Sequence, residues 1–205
     1  WSLSTNASGG SINSGSGAYT AGATPNVTDV VRVQDSLGNV ATRNVAVGAG
    51  VSISGTTSVA PLGSATFTAG GGSGTGFTWS LSTNASGGSI GASTGAYTAG
   101  ATPNVTDVVR VQDSLGNAAT RNVSVGPGVS IAGPASVQVL GMATFTASRG
   151  SGTGYVWSLT TNASGGTIDG STGIYTAGPI PNVTDVVGVV DSLGNPGAVS
   201  VTVTP

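Results

Sequence analysis

Cysteine, histidine, lysine and glutamate are all absent from this 205-residue chain. Without Cys or His it has no thiol nucleophile, no imidazole base, no disulfide framework and no zinc site of the usual nitrogen and sulfur type. Without Lys it has neither a Schiff-base amine nor the lysine of a nucleotide phosphate loop. Its side-chain charge comes from seven Asp and five Arg, a formal net of −2. No basic surface exists to neutralise a phosphate backbone, which excludes a nucleic-acid partner. Apolar runs extend over only a few residues, against the ~20 that a membrane-spanning helix requires. The sequence starts at Trp1 with no charged-then-apolar leader, so a targeting signal is expected outside this segment.

What the chain does contain is 36 Gly, three Trp, four Tyr, three Phe and an abundance of Ser, Thr, Val and Ile. Low charge combined with many β-branched residues predicts a folded chain. The segment Trp1-Ser2-Leu3-Ser4-Thr5-Asn6-Ala7-Ser8-Gly9-Gly10 returns at Trp79 and, altered, at Trp157, a period of 78 residues. Residues 1–47 and 79–125 differ at six positions: Asn13/Gly91, Ser14/Ala92, Gly15/Ser93, Ser16/Thr94, Val40/Ala118 and Ala46/Ser124. Four of these fall in one turn. The third copy has drifted further but keeps Trp157, Gly165-Gly166, Tyr175-Thr176-Ala177-Gly178 and Asp191-Ser192-Leu193-Gly194-Asn195.

A period of 78 residues exceeds one solenoid coil and suits a small all-β domain. Short runs that alternate with period two, broken by Gly, Ser, Asn and Pro, predict seven strands in the second copy. They lie near Val51–Ser54, Ala65–Ala69, Phe77–Leu81, Ser89–Ile90, Ala96–Thr98, Thr106–Gln112 and Ala118–Val125. Alternation puts Phe77, Trp79 and Leu81 on a buried face, with Phe67, Ala65, Ala69, Val109 and Val111. Asp113-Ser114-Leu115-Gly116-Asn117 reads as the hairpin loop joining the last two strands. No helical period appears. The expected architecture is a two-sheet sandwich in each unit, with 49–126 and 127–205 whole and 1–48 partial, lacking its first two strands. That shortfall fits a window cut from a longer array better than strands supplied by a neighbouring chain, because Val199–Val203 already serves as the last strand of its own unit.

A Gly/Ser-rich loop leads into Phe77-Thr78-Trp79-Ser80-Leu81, followed by Gly87-Gly88-Ser89-Ile90 and Gly95-Ala96-Tyr97-Thr98-Ala99-Gly100. With the hairpin Val108-Val109-Arg110-Val111-Gln112-Asp113-Ser114-Leu115-Gly116-Asn117, this pattern resembles the bacterial immunoglobulin-like domains found in tandem on large secreted and cell-surface proteins. The resemblance covers the whole chain. It implies tandem immunoglobulin-like β-sandwiches, extracellular, acting as stalk, spacer or adhesion module, with no catalytic residues to carry over.

The recurring acids are Asp29 and Asp35, Asp107 and Asp113, Asp185 and Asp191. Six residues apart on a strand, the members of each pair stand about 20 Å apart at ~3.3 Å per residue. A glycosidase pair needs roughly 5–10 Å, so no catalytic site and no enzyme is expected. Calcium at Asp35, Asp113 and Asp191 is the functional alternative to a turn-and-cap role. The linkers Val47–Val51 and Val125–Val129 hold no acid, which favours the turn role, and no cofactor is expected. Arg32 and Arg43 recur as Arg110 and Arg121 and then disappear together as Gly188 and Val199. They read as neighbours on one hairpin face, either solvated or in contact between repeats or chains. Gly70–Gly76 lacks a following Lys and precedes a strand, so it reads as a flexible loop, not a phosphate cradle. The three Trp read as core. Asn6-Ala7-Ser8, Asn26-Val27-Thr28 and their copies match the glycosylation acceptor pattern.

The sequence therefore predicts a non-catalytic extracellular repeat. Its partners are neighbouring repeats and, in a filament, identical chains packed laterally. The alternative is an adhesive module that recognises a glycan or host protein through the variable turn at 13–16, 91–94 and 169–172.

Overall fold

A computed structural model describes all 205 residues. It holds twenty-three strands and no helix, and so none long and apolar enough to cross a membrane. In the second repeat the main sheet runs Thr78–Thr83, Val105–Gln112, Ala118–Val125, Ser58–Val59. The first two pairings are antiparallel, whereas Ser58–Val59 lies parallel to Ser124–Val125. The facing layer pairs Ser89–Ile90 with Ala96–Thr98 and Ala96–Thr98 with Ser64–Thr66, while Ser52–Ser54 pairs with Thr68–Gly70.

Two elements depart from the alternation-based expectation. The run Ala65–Ala69 is two strands, Ser64–Thr66 and Thr68–Gly70, interrupted at Phe67. Phe67 turns its N–H to Gly95 O at 2.9 Å, so the chain changes partner there while side-chain alternation continues through the break. Ser58–Val59 is an additional strand of two residues, too short to register as a period. Residues 49–126 thus carry nine short strands where seven were expected.

The inward residues close one apolar core, with Phe67, Trp79, Tyr97, Val109, Val111, Val123 and Val125 all buried. The ring of Phe67 lies 6.4 Å from that of Trp79 and 6.0 Å from that of Tyr97, in tilted contact. The third repeat rebuilds the arrangement around Phe145, Trp157, Tyr175, Val187, Val189, Val201 and Val203. Two layers of mostly antiparallel strands around one core, with the hairpin strands central, make an all-β, immunoglobulin-like sandwich.

The first repeat has the same hairpin, Val27–Gln34 with Val40–Val47, and the strand Ser2–Thr5 beside it. It buries no apolar side chain fully. Trp1 is 46% exposed, against 5% for Trp79. The expectation of a core Trp fails there because no residue of the first copy plays the part of Phe67.

Candidate functional site

The strand Val105–Gln112 places Asp107 on the same side as Val109 and Val111, and Asp107 is fully buried. Two residues apart means the same face of a strand, so this acid is an inward residue. Its Oδ1 accepts from the Ser86 N–H at 2.9 Å. Its Oδ2 accepts from the Ser86 hydroxyl at 2.5 Å and the Tyr97 hydroxyl at 2.6 Å. Ser86 Oγ in turn accepts from the Gly100 N–H at 2.9 Å. Asp185 repeats this with Ser164 and Tyr175, and Asp29 with Ser8 and Tyr19.

This node is a carboxylate, a serine and a tyrosine in hydrogen-bonding contact, which invites comparison with a catalytic triad. Its chemistry is different. The serine proton is committed to the carboxylate, the node contains no imidazole or amine to shuttle it, and Ser86 is buried. What the node does is join the layers: Asp107 belongs to the main sheet, Tyr97 to the facing one, and Ser86 to the loop between them. Every buried side-chain polar atom in the chain has a hydrogen-bond partner. Burial alone would push the Asp107 carboxyl up, but the Ser86 hydroxyl, the Tyr97 hydroxyl and the Ser86 N–H outweigh it and hold it below the ordinary range. Burial and the adjacent carboxylate push Tyr97 up, and Tyr175 to about 12.

The second recurring acid ends the same strand and closes the hairpin. Asp113 Oδ1 accepts from the N–H groups of Leu115 at 3.0 Å and Asn117 at 2.8 Å. Its Oδ2 accepts from Asn117 Nδ2 at 3.0 Å and from the Ser73 N–H at 2.7 Å. Four donors occupy the four lone-pair positions of the carboxylate. The Asn117 amide, opposed by burial and joined by the Ser73 and Asn117 N–H groups, lowers its pKa to about 2. Asp191 is held at about 2 as well: burial opposes, but the Ser151 N–H and the Asn195 amide prevail. Asp35 keeps the bonds within its turn. A cation at Asp113 or Asp191 would have to displace these N–H donors, and nowhere do three or more acidic, His or Cys side chains converge.

The Ser73 contact also ties the Gly-rich loop to the hairpin. Gly71, Gly72, Gly74 and Gly76 all have positive φ, and a Cβ on Gly72 would overlap Asp113 Oδ2. The Ser73 N–H thus brings the Gly-rich loop against the chain's own carboxylate.

Arg110 and Arg121 do not share a face. Arg110 pairs with Thr120 on the outer side and donates to Gln112 Oε1 at 3.3 Å. Arg32 makes the same bond to Gln34 at 2.9 Å. Arg121 stands opposite inward Val109 and donates to the carbonyls of Thr56, Ile53 and Gly55, the last at 2.6 Å. Its contacts lie within its own repeat. Arg43, its counterpart, is exposed. The variable turn keeps its backbone bond to the Trp strand, Trp79 N–H to Ala92 O at 2.8 Å and Trp157 N–H to Gly170 O at 2.9 Å, while the Asn13 and Asp169 side chains add caps within the turn that Gly91 cannot make. Side chains there vary without disturbing those bonds.

These titrations define a pH window. The depressed Asp pKa values contribute stability that is present above the ordinary carboxylate value of about 4 and is lost as pH falls towards 2. The raised Tyr values contribute stability that is present below about 10 and is lost as pH rises towards 12. With no His or Cys, no side chain has its ordinary pKa between these limits. The urea midpoint should therefore be level from about pH 5 to pH 9 and fall on either side. A slope inside the plateau contradicts the assignment.

No protein-family model matches the sequence, and no curated protein matches it. Among solved structures, the chain is similar to a C-terminal 282-residue fragment of intimin, solved in complex with the intimin-binding domain of the translocated intimin receptor. The identity is 18% and the TM-score 0.39, over 76% of this chain and 64% of that one. It thus spans about two thirds of the fragment's length. Drosophila N-cadherin EC1-3 aligns at 10% identity and TM-score 0.36, over 99% of this chain and 87% of that one. Mouse cadherin-23 EC22-24 aligns at 14% and 0.33, over 86% and 73%.

Proposed function

We propose that the chain is a non-catalytic structural repeat of a long extracellular bacterial protein, a stalk or spacer whose units are 49–126 and 127–205, with 1–48 part of a further one. The observation that supports this most directly is the fate of the acids. The node carboxylates and those of Asp113 and Asp191 are saturated by donors of their own repeat, in the same way at each copy. What the sequence repeats at 78-residue intervals is a way of holding a sandwich together. The linker Val125–Val129 is short and carries Pro127, which limits bending.

Eight-residue strands at ~3.3 Å per residue, with turns at both poles, give each repeat a length of about 30–40 Å. Small-angle scattering on this chain and on versions extended by whole repeats should show a maximum dimension that grows by that increment. A dimension that fails to grow with repeat number overturns the spacer reading. Growth of the particle with concentration instead supports the same units as building blocks of a filament.

A further inference from the structure

The three copies of the Asp-Ser-Leu-Gly-Asn hairpin share one internal geometry and have three different environments. Each Asp accepts from the N–H groups two and four residues on, and each Asn amide returns to its Asp. Yet Leu37 is 87% exposed and Leu115 76%, whereas Leu193 drops to 41%. Asn39 and Asn117 are exposed, while Asn195 is buried.

What covers the third hairpin is a turn at the far pole of the preceding repeat. Asn195 Nδ2 donates to Pro61 O at 2.9 Å, and a Cβ on Gly194 would lie 4.0 Å from Leu62 Cδ1. An Asn amide has two hydrogens. In Asn195 one goes to Asp191 and the other to Pro61, and in Asn39 and Asn117 only the first bond is made. The hairpin is built identically in all three environments, so docking requires little ordering.

The turn is equally specific. Leu62 has φ 59°, in the left-handed region that Gly or Asn ordinarily fills, and its counterpart Leu140 has φ 58°. Around Leu62 the turn is covered, with Pro61 and Gly63 buried. Around Leu140 it is bare: Leu140 is 68% exposed, Met142 70% and Ile180 50%, and Leu140 N–H reaches Gly178 O close to Ile180.

We propose that this hairpin is a plug and the Leu-Gly turn its socket, with the Asn amide as the pin that fixes register. The Leu140–Met142 surface then takes the Asp-Ser-Leu-Gly-Asn hairpin of another copy of the repeat. The proposal rests on the reading of the chain as a tandem array. It adds which surfaces meet and which bond sets their orientation. Between tethered repeats the five residues Val125–Val129 supply a high effective concentration, so one leucine contact and one hydrogen bond suffice. Between separate molecules the same contact is transient.

Two measurements on the full chain test this. Asn195→Ala and Asn117→Ala each remove the amide bond to the turn Asp, and only Asn195→Ala also removes the bond to Pro61. Amide relaxation should show 49–126 and 127–205 tumbling together in the unmodified chain and in Asn117→Ala, and separately in Asn195→Ala. Leu193→Asp, which leaves the Asp191 bonds in place, should uncouple them too. Identical behaviour of the Asn195 and Asn117 variants overturns the joint, and leaves the spacer reading to stand or fall by the scattering increment alone. For the free socket, the absence of Cys permits single-cysteine trapping. Ser192 and Ser64 line one cleft across the existing joint, and they correspond to Ser36 and Met142. Ser36→Cys and Met142→Cys chains, which keep Leu37, mixed and oxidised, should give the mixed dimer several-fold above the statistical yield, and Leu140→Asp should abolish the excess. A statistical mixture overturns the assignment of the Leu140 surface.

Discussion

Asp185→Ala should lower the stability of the third repeat by about 3–5 kcal/mol, a large part of the roughly 5–15 kcal/mol available to a small domain. The substitution leaves the Ser164 N–H, the Ser164 hydroxyl and the Tyr175 hydroxyl without their acceptor, at positions that solvent does not reach. Each buried donor left unpaired costs about 1–3 kcal/mol. Tyr175→Phe removes one donor and leaves the carboxylate its two serine bonds, so it should cost about 1.5–3 kcal/mol, the range for a bond to a charged group. The two apolar clusters are separate, so urea unfolding followed by resonances near Trp79 and near Trp157 should shift only the second transition. If Asp185→Ala costs no more than Tyr175→Phe, the node is not what joins the sheets.

Gly178→Ala should be nearly as damaging although it adds a single methyl group. A Cβ at Gly178 would overlap the carbonyl oxygen and carbon of Ser164, the residue that holds Asp185. Backbone cannot yield as a flexible side chain does, so the loop must move and draw Ser164 away from the carboxylate. A cost of about 3 kcal/mol or more follows. Gly152→Ala is the control. It has positive φ, 79°, with nothing within 4 Å of a new Cβ, so it carries only the left-handed backbone penalty of about 1–2 kcal/mol. Comparable losses in the two variants, in the same urea assay, contradict the close-approach account. The same contact recurs between Gly100 and Ser86 and between Gly22 and Ser8, so the effect should transfer from repeat to repeat.

Most of the sandwich was legible in the sequence because alternation reports side-chain direction. Phe77, Trp79 and Leu81 face inward as their spacing requires, and Asp113 to Asn117 forms the hairpin loop. What alternation does not report is which strand accepts a given N–H. The partner change at Phe67 leaves the in-and-out pattern of Ala65, Phe67 and Ala69 intact, and so escapes a reading by period. The node was within reach: Asp107 shares parity with Val109 and Val111, and an acid on an inward face calls for buried donors. Tyr97 and Ser86 could be named as those donors only once the sheets were superposed. Arg110 and Arg121 looked like neighbours because their strands are adjacent, but the register sets Arg110 against Thr120 and Arg121 against Val109. The burial of Asn195 lay beyond any single repeat, since it depends on what the preceding one presents.

The parallel pairing of Ser58–Val59 with Ser124–Val125 has a mechanical consequence. The chain enters each repeat at one pole and leaves at the other, so a pull on the two ends drags the early strand and the last strand in opposite directions along their common axis. The bonds between them, Ser124 N–H to Thr57 O and Gly126 N–H to Val59 O, both 2.8 Å, lie across that pull and are loaded together. An antiparallel hairpin pulled from its open end is loaded one bond at a time. In the third repeat, Thr202 N–H to Ala135 O and Val139 N–H to Thr204 O, both 2.9 Å, stand in the same place. A short shear patch therefore bears tension at the point where force enters each sandwich. Because the chain has no disulfide to reshuffle, a repeat that does give way can refold without redox chemistry.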